Sequence, residues 1–266
     1  MATADVAEPV PSSAKVHERD WLIEFEGRKL LRKLESVLKE VCNRLPLPNK
    51  VSAYVPVSGA ASGLQPEKLM ISGQGGDGLR CVLTLLGDNV VQAEVAVRYA
   101  RVPGNIFRST AQPDVQWKLQ QIQDVGNFVF KALDTLRALA SHHNWKRLMR
   151  EWITEVAADL QAARTCLTSP KKRSIAELQD YGPNKCFNPA LPQDMLLSFY
   201  IVSHKIICAA YMLQDAQQQS TPSKQTFQVL QGECPLQWLN DVLTLLNCAQ
   251  LLCQQFLDKV SSLDAI

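Results

Sequence analysis

A long apolar stripe in the middle of the chain constrains the fold more than any other feature. Between Pro113 and Ala140, apolar or small residues recur at alternating steps of four and three: Val115, Leu119, Ile122, Gly126, Val129, Leu133, Leu136 and Ala140. This spacing predicts a helix with one buried face, which other helices must cover. Asp114 follows a proline just before the run, where its carboxylate is suited to cap the helix.

Two residues of this segment have specific expected positions. We expect Trp117, near the start of the predicted helix, to lie at the junction between helices and strands. We expect Gly126 to allow a close approach of a neighbouring helix, because glycine has no Cβ atom.

Four other segments show the same helical spacing. In the first of them, Leu31, Leu34, Leu38, Val41 and Leu45 are spaced three and four residues apart. The predicted helices cover residues 15–45, 145–167, 192–214 and 235–262. The 192–214 helix is predicted from Met195, Leu196, Phe199, Val202, Ile206 and Ala210.

The region between the first two predicted helices has a different character. Short β-branched or alternating segments, among them KVSAYVPV, KLMIS, LRCVLTLLG and NVVQAEVAVRYA, are separated by Gly, Pro and Asp-Asn turns. This pattern predicts a small, mostly antiparallel sheet. A hairpin is expected from Leu79 to Val97 with its turn at Gly87-Asp88-Asn89, and its second strand should bury Val91, Ala93, Val95 and Val97. TFQVL (226–230) could add one strand.

These segments together predict an α+β fold. An antiparallel helical bundle forms from the N- and C-terminal helices, and a small, mostly antiparallel sheet domain is inserted after the first helix. The predicted domains are a disordered tail (1–14), a helical bundle domain (15–45, 113–214 and 235–266) and a β-sheet domain (46–112 with 215–234).

Composition limits the possible partners and the cellular compartment of the protein. The net charge of +2 comes from 28 basic and 26 acidic residues, so no nucleic-acid partner is expected. Eight cysteines without a C-x-x-C pair predict reduced thiols, and the N-terminus lacks a secretory signal, which favours a cytosolic protein. The charge-free run from Val242 to Leu257 is shorter than the roughly 18–20 residues that a bilayer span needs.

No motif in the sequence strongly indicates catalysis, nucleotide binding or metal binding. Gly73 to Gly78 matches the dinucleotide-binding pattern G-x-G-x-x-G, but a strand and not a helix is predicted after it. The four histidines, at 17, 142, 143 and 204, lie in different predicted elements, and His204 with Cys208 gives only one i, i+4 pair. We therefore predict no enzyme, with no catalytic, cofactor-binding or metal-binding residues and no cofactor.

Two further motifs leave alternatives open. Lys171-Lys172-Arg173 beside Ser169-Pro170 could be a nuclear-import or phosphorylation-dependent patch, although a solvated loop is favoured. The heptads at 31–45, 115–140 and 239–256 could form an intermolecular leucine zipper, although an intramolecular bundle is favoured because the chain supplies its own partner helices.

Four segments resemble the Rogdi family: CVLTLLGDNVVQAEV (81–95), VQWKLQQIQDVGNFV (115–129), FNPALPQDMLLSFYI (187–201) and PLQWLNDVLTLLNCAQLLCQQFLDKVSS (235–262). The resemblance implies an elongated protein with a helical bundle joined to a small β domain. It also implies a non-enzymatic adaptor, the small subunit of a RAVE-like complex. Such a subunit associates with large WD-repeat proteins of the rabconnectin and DmX type and promotes assembly of the vacuolar proton pump's peripheral sector onto its membrane sector. In animals the family is linked to synaptic vesicle acidification and neuronal function.

The resemblance also sets expectations for location and assembly. The protein should be cytoplasmic, with a vesicle- or synapse-associated fraction recruited through its partners, and a nuclear pool is possible. It should be a monomer on its own. The alternative functions are a leucine-zipper-type dimeric regulator with a nuclear role and a nucleotide-binding enzyme that uses the loop from Gly73 to Gly78.

Overall fold

The structure is a computed structural model that describes residues 13–47, 65–73, 78–112, 116–169, 171–213 and 227–265. Six α-helices lie in these ranges: α1 (Ser13–Leu22), α2 (Arg28–Arg44), α3 (Gln120–Ser141), α4 (Trp145–Thr168), α5 (Ile175–Asp180) and α6 (Gln237–Ala265). A π-helical turn (Ile23–Gly27) joins α1 to α2, so the first helical segment is nearly continuous. Two 3₁₀ turns occupy Pro103–Asn105 and Gly182–Lys185.

The same ranges contain nine strands: β1 (Glu67–Gly73), β2 (Leu79–Leu86), β3 (Asn89–Arg98), β4 (Ile106–Ala111), β5 (Trp117–Lys118), β6 (Phe187–Asn188), β7 (Met195–Val202), β8 (Lys205–Leu213) and β9 (Phe227–Pro235). They form one antiparallel sheet in the order β6-β4-β3-β2-β1-β9-β8-β7, with β5 paired to β3. A mixed fold with an antiparallel sheet and helices at both ends is therefore confirmed.

The sheet is strongly curled. Trp117 in β5 has its ring centroid 5.3 Å from that of Phe187 in β6 and 5.3 Å from that of Phe199 in β7. Strands β6 and β7 lie at opposite ends of the strand order, so both ends approach one tryptophan. Trp117 is buried three residues before α3 begins, which confirms its expected position between strands and helices.

A pair of glycines joins the two parts of the sheet. β1 and β9 share only two paired positions, Ser72 with Glu233 and Gly73 with Gly232. A Cβ atom on Gly232 would lie 2.7 Å from Cγ2 of Ile71 and 3.0 Å from the backbone carbon of Ser72. Since real Cβ atoms do not approach this closely, only glycine allows the strands to meet here.

Helices from the two ends of the chain pack on one another. α2 contacts α3 and α6, and α4 contacts α3 and α6. The stripe of α2 is buried at Leu34, Leu38 and Val41, as its spacing predicts. Gly126 of α3 does permit a close approach, but its neighbour is the side chain of Leu47, after α2 ends. The hydrophobic core is continuous from these helices into the sheet.

The predicted helix at 192–214 is wrong, because this segment forms the hairpin β7–β8. Its two faces are both buried: Leu197, Ile201 and Cys208 belong to the main core, while Tyr200, Ile207 and Ala209 form a second cluster on the other face. Burial on both faces removes the alternation that marks a half-exposed strand. Part of the range assigned to the helical domain is therefore sheet, and the sheet is larger than predicted.

Smaller corrections concern element ends. α3 begins at Gln120 after the strand β5, and Asp114, the predicted cap, lies outside the described residues. Ser13 and Ala14, assigned to the tail, belong to α1, and residues 1–12 lie outside the described ranges, as does KVSAYVPV (50–57). In β3 a register shift buries Val90 where Val91 was expected, while Ala93, Val95 and Val97 face inward as predicted.

The other element predictions agree with the structure. The hairpin turn at Gly87 has a positive φ of 65° and connects β2 to β3. Helices α4 and α6 lie where periodicity places them, and the strand predicted from TFQVL begins β9 and joins the early sheet through β1.

Candidate functional site

The glycine-rich loop has no helix behind it. Gly73 ends β1, residues 74–77 lie outside the described ranges, and Gly78 directly precedes β2. The strand predicted after the loop is confirmed, whereas a pyrophosphate site of the dinucleotide-binding type has a helix N-terminus at this point. A cavity of about 310 Å³ beside the loop is lined mainly by glycines and by apolar residues such as Leu79, Val229 and Leu230.

The four histidines lie in three places: α1, the corner between α3 and α4, and the β7–β8 turn. His142 and His143 stack on each other at 4.6 Å in the corner between α3 and α4, and Asn144 donates its backbone N–H to Nδ1 of His142. His204 lies in the β7–β8 turn and Cys208 in β8, so the two are not one turn apart on a helix. Over the described ranges, no group of three His, Cys, Asp or Glu side chains is arranged to hold a metal ion.

The basic run holds the segment before α5 against the body of the protein. Lys171 pairs with Asp124 of α3 at 3.2 Å, and Lys172 lies 5.2 Å from the ring centre of Tyr200 in β7. Arg173 lies 4.0 Å above Tyr181. The side chains are exposed, as the solvated-loop interpretation predicts, yet each has a contact within the chain.

The outer edge of β7 is closed by side chains. Gln121 of α3 is buried, and its Nε2 donates to the carbonyl oxygens of Ile201 at 2.9 Å and Cys166 at 2.8 Å. Its Oε1 accepts from the backbone N–H of Ile201 at 2.8 Å. Further along, Oδ1 of Asn184 accepts from the backbone N–H of Leu197 at 3.2 Å. This strand edge is therefore not open to a partner strand.

An exposed aromatic pair lies at the other end of the molecule. Trp21 of α1 is 57% exposed and Phe25 of the π-helical turn is 63% exposed, with ring centroids 5.4 Å apart. The other large apolar side chains that are exposed within the described ranges lie on separate elements: Met70, Ile106, Val229 and Leu251. Single exposed apolar residues are common, whereas paired aromatic rings are typical of binding surfaces.

Ion pairs on both sides of Phe25 join the turn to neighbouring helices. Glu24 pairs with Lys146 at the start of α4 and, at 2.9 Å, with Arg28. Glu26 pairs with Lys259 of α6 at 2.5 Å. Hydrogen bonds from these lysines, Lys146 to Glu24 and Lys259 to Glu26, hold the pKa of both carboxyl groups below the ordinary value. The turn is thus anchored to two other helices while Phe25 faces solvent.

Packing beneath the turn reinforces this arrangement. A Cβ atom on Gly27 would lie 3.3 Å from Cε of Met149 and 3.5 Å from the Trp145 ring, so the turn rests closely on α4. The Arg28 guanidinium lies 5.1 Å from the ring centre of Trp145. The aromatic pair therefore stands on a well-packed base, which lowers the entropy cost of binding through it.

The sequence contained a signal for this surface. The inward stripe of the first helical segment runs through Ile23, Leu30 and Leu34, and Trp21 and Phe25 fall off that stripe while remaining one turn apart. Large aromatic residues outside a buried stripe indicate a second, exposed apolar surface.

The heptad leucines, in contrast, pack against other parts of the same chain. Leu34 and Leu38 of α2 and Leu246 of α6 are fully buried. An intermolecular zipper through these residues would require the helices to separate, so the intramolecular interpretation fits the packing better. Within the described ranges, no helix combines the length and apolar character needed to cross a membrane.

Comparison with known proteins gives a consistent result. The family model described as Rogdi leucine zipper containing protein matches residues 18–237. The chain is 34% identical to the protein rogdi of Drosophila melanogaster over 92% of its own length and 86% of that protein. It is 32% identical to the rogdi homolog of Caenorhabditis elegans (97% of this chain, 91% of that protein) and 30% identical to the rogdi homolog of Homo sapiens (98% and 96%). The chain belongs to the Rogdi family.

Proposed function

We propose that this protein is a non-enzymatic adaptor, the small subunit of a RAVE-like complex. In this proposal it associates with large WD-repeat proteins of the rabconnectin and DmX type. The assembled complex promotes attachment of the vacuolar proton pump's peripheral sector to its membrane sector, and thereby acidifies vesicles, with a neuronal or synaptic role. The helices act as an antiparallel bundle that provides the binding surface.

One structural observation carries the adaptor proposal: the exposed pair formed by Trp21 and Phe25 is anchored from both sides. Exposing two large aromatic side chains costs solubility and does not contribute to the core. Ion pairs to α4 and α6 and close packing at Gly27 hold the turn on the other helices, which is useful if a partner covers the rings, because binding energy in protein interfaces concentrates in such anchors. The class of partner is part of the proposal and follows from what the resemblance of the sequence implies.

The proposal includes the location of the protein. An adaptor that reaches the pump through its partners is cytoplasmic, with a fraction on vesicles or synapses that depends on those partners, and a nuclear pool is compatible with it. The protein binds no nucleic acid, metal ion or cofactor in this proposal, and it is a monomer when purified alone.

Co-purification tests the proposal. The tagged chain, expressed at its natural level in neural cells, should recover a WD-repeat protein of the rabconnectin or DmX type together with subunits of the pump's peripheral sector. Deleting the chain should slow vesicle reacidification after the pump has been dissociated, and re-expression should restore it. Recovery of no such partner, together with normal reacidification in deleted cells, would refute the adaptor function.

A further inference from the structure

A continuous exposed strip runs along the first helical segment. We define the Trp21–Lys33 strip by five residues: Trp21, Phe25, Lys29, Arg32 and Lys33. We propose that this strip binds an acidic amphipathic helix of the partner protein. The inference rests on the proposed adaptor function and names the surface that performs it.

Helical spacing places these residues on one side. The Trp21 and Phe25 ring centroids lie 5.4 Å apart across the π-helical turn. Lys29 follows four residues later, and the remaining two basic residues continue the strip one turn further along α2. All five are exposed, whereas Ile23, Gly27 and others between them face the core. The strip is about three turns long, which suits one helix laid along it.

The basic half of the strip carries an excess of positive charge. Lys29 and Lys33 both act on the Glu26 carboxylate, lowering its pKa together with the stronger hydrogen bond from Lys259. Glu26 is already paired with Lys259, so several ammonium groups share one carboxylate. Among the residues that the structure describes, neither Lys29 nor Lys33 forms an ion pair. Carboxylates of the partner would supply the negative charge that Lys29 and Lys33 lack.

The order of residues along the strip favours a helix over a membrane surface. The aromatic anchors lie at one end and the basic residues at the other, which fits a helix whose apolar turns meet the rings and whose acidic turns meet the lysines. Glu18 and Asp20 are exposed in the turn directly before Trp21. These carboxylates would face an anionic bilayer that covered the rings and would be repelled by it.

The test measures the affinity of the purified full chain for a recombinant WD-repeat subunit of the rabconnectin or DmX type. One variant removes the rings (Trp21→Ser with Phe25→Ser), and another reverses the charge (Lys29→Glu with Lys33→Glu). We expect each to raise Kd by roughly 10- to 30-fold. Leu251→Ser and Lys68→Glu are matched controls, an exposed leucine on α6 and an exposed lysine on β1, and should leave Kd unchanged.

Zero-length carbodiimide crosslinking reports the chemistry of the occupant. In the complex, Lys29 or Lys33 should become linked to aspartate or glutamate side chains within one helical segment of the partner. Circular dichroism and thermal unfolding of each variant should match wild type, because all substituted side chains are exposed.

The outcomes distinguish a failure of the strip inference from a failure of the adaptor function. If wild type binds and the strip variants bind equally well, the strip inference is wrong and the adaptor function stands. If wild type does not bind, the adaptor function fails and the inference fails with it. If the variants keep their partner affinity but lose binding to phosphatidylserine vesicles, or lose self-association in light scattering, the strip contacts a membrane or a second copy and the inference is overturned.

Discussion

Gln121 provides the sharpest test of how the helices hold the sheet. It is the buried side chain that joins α3 to the end of α4 and to the outer edge of β7. Gln121→Met keeps nearly the same volume and removes all three hydrogen bonds. The variant therefore isolates the polar contribution, without the cavity that alanine would leave.

The expected loss of stability follows from the buried backbone groups that lose their hydrogen-bond partner. Ile201 is fully buried, and the structure gives its N–H and C=O groups only the Gln121 amide as a partner on this edge. Each buried backbone group that loses its partner costs about 1–3 kcal/mol, and the methionine recovers part of this by burying apolar surface. We expect Gln121→Met to lower the free energy of unfolding by about 2–5 kcal/mol.

Urea unfolding followed by circular dichroism measures this change, and hydrogen exchange should show faster exchange of the β7 amides near Ile201. Gln120→Met is the control, since Gln120 is exposed and, among the described residues, its side chain bonds Asp124 alone, one turn away at 2.9 Å. It should change stability by less than about 0.5 kcal/mol. A Gln121→Met protein that stays within about 1 kcal/mol of wild type, with unchanged β7 exchange, would refute the reasoning.

Two substitutions and one labelling experiment test other parts of the fold. Trp117→Ala should lower stability by about 3–5 kcal/mol in urea unfolding, because the ring is buried between both ends of the sheet. Gly126→Val should cost about 1–3 kcal/mol, because its first side-chain atom would overlap Cδ1 of Leu47. Burial raises the pKa of Cys42 to about 12, so at pH 8 a thiol reagent should label exposed Cys248 and leave Cys42 unlabelled until the protein unfolds. Protonated Cys42 stabilises the fold below its unfolded pKa of 9.0, and this contribution should disappear as the pH rises toward about 12.

A specific result would contradict each of these three predictions. Wild-type stability of Trp117→Ala would show that the ring does not hold the sheet ends together. Gly182→Ala controls for Gly126→Val, since no atom lies within 4 Å of its added Cβ, and equal effects of both would exclude a specific overlap. Rapid labelling of Cys42 in the native state would contradict its burial in the helical core.

Sequence periodicity identified the helices that have one buried face. In α2, α4 and α6, apolar residues recur at steps of three and four, and the opposite faces are polar, so the pattern reflects the packing directly. The β2–β3 hairpin was equally clear, because its turn residues and its one-sided burial both appear in the sequence.

The β7–β8 hairpin could not be assigned from its hydrophobic pattern. Both of its faces carry buried residues, so nearly every position is apolar and any period fits. The β-branched and aromatic composition of Phe199 to Val202 favoured a strand, and Ser203-His204 supplied the turn, with a φ of 59° at Ser203. In this segment composition was a better indicator than spacing.

The candidate binding surface was missed for a different reason. A search for catalytic motifs and metal ligands returns nothing at Trp21 and Phe25, because the only signal in the sequence is their place off the buried stripe. How exposed they are follows only from the positions of α4 and α6. The ion pairs that fix this turn join residues more than a hundred positions apart, and no local pattern reveals them.

The closed edge of β7 also has a consequence for synthesis on the ribosome. Gln121 and Asn184, which cap this strand, precede it in the chain, so both are already made when β7 emerges. An apolar strand with an open edge is a template for aggregation while a chain is incomplete. Here the capping groups can engage the edge before β9 and α6 have been translated. The order of elements along the chain thus protects its most apolar hairpin during the period when neighbouring nascent chains are closest.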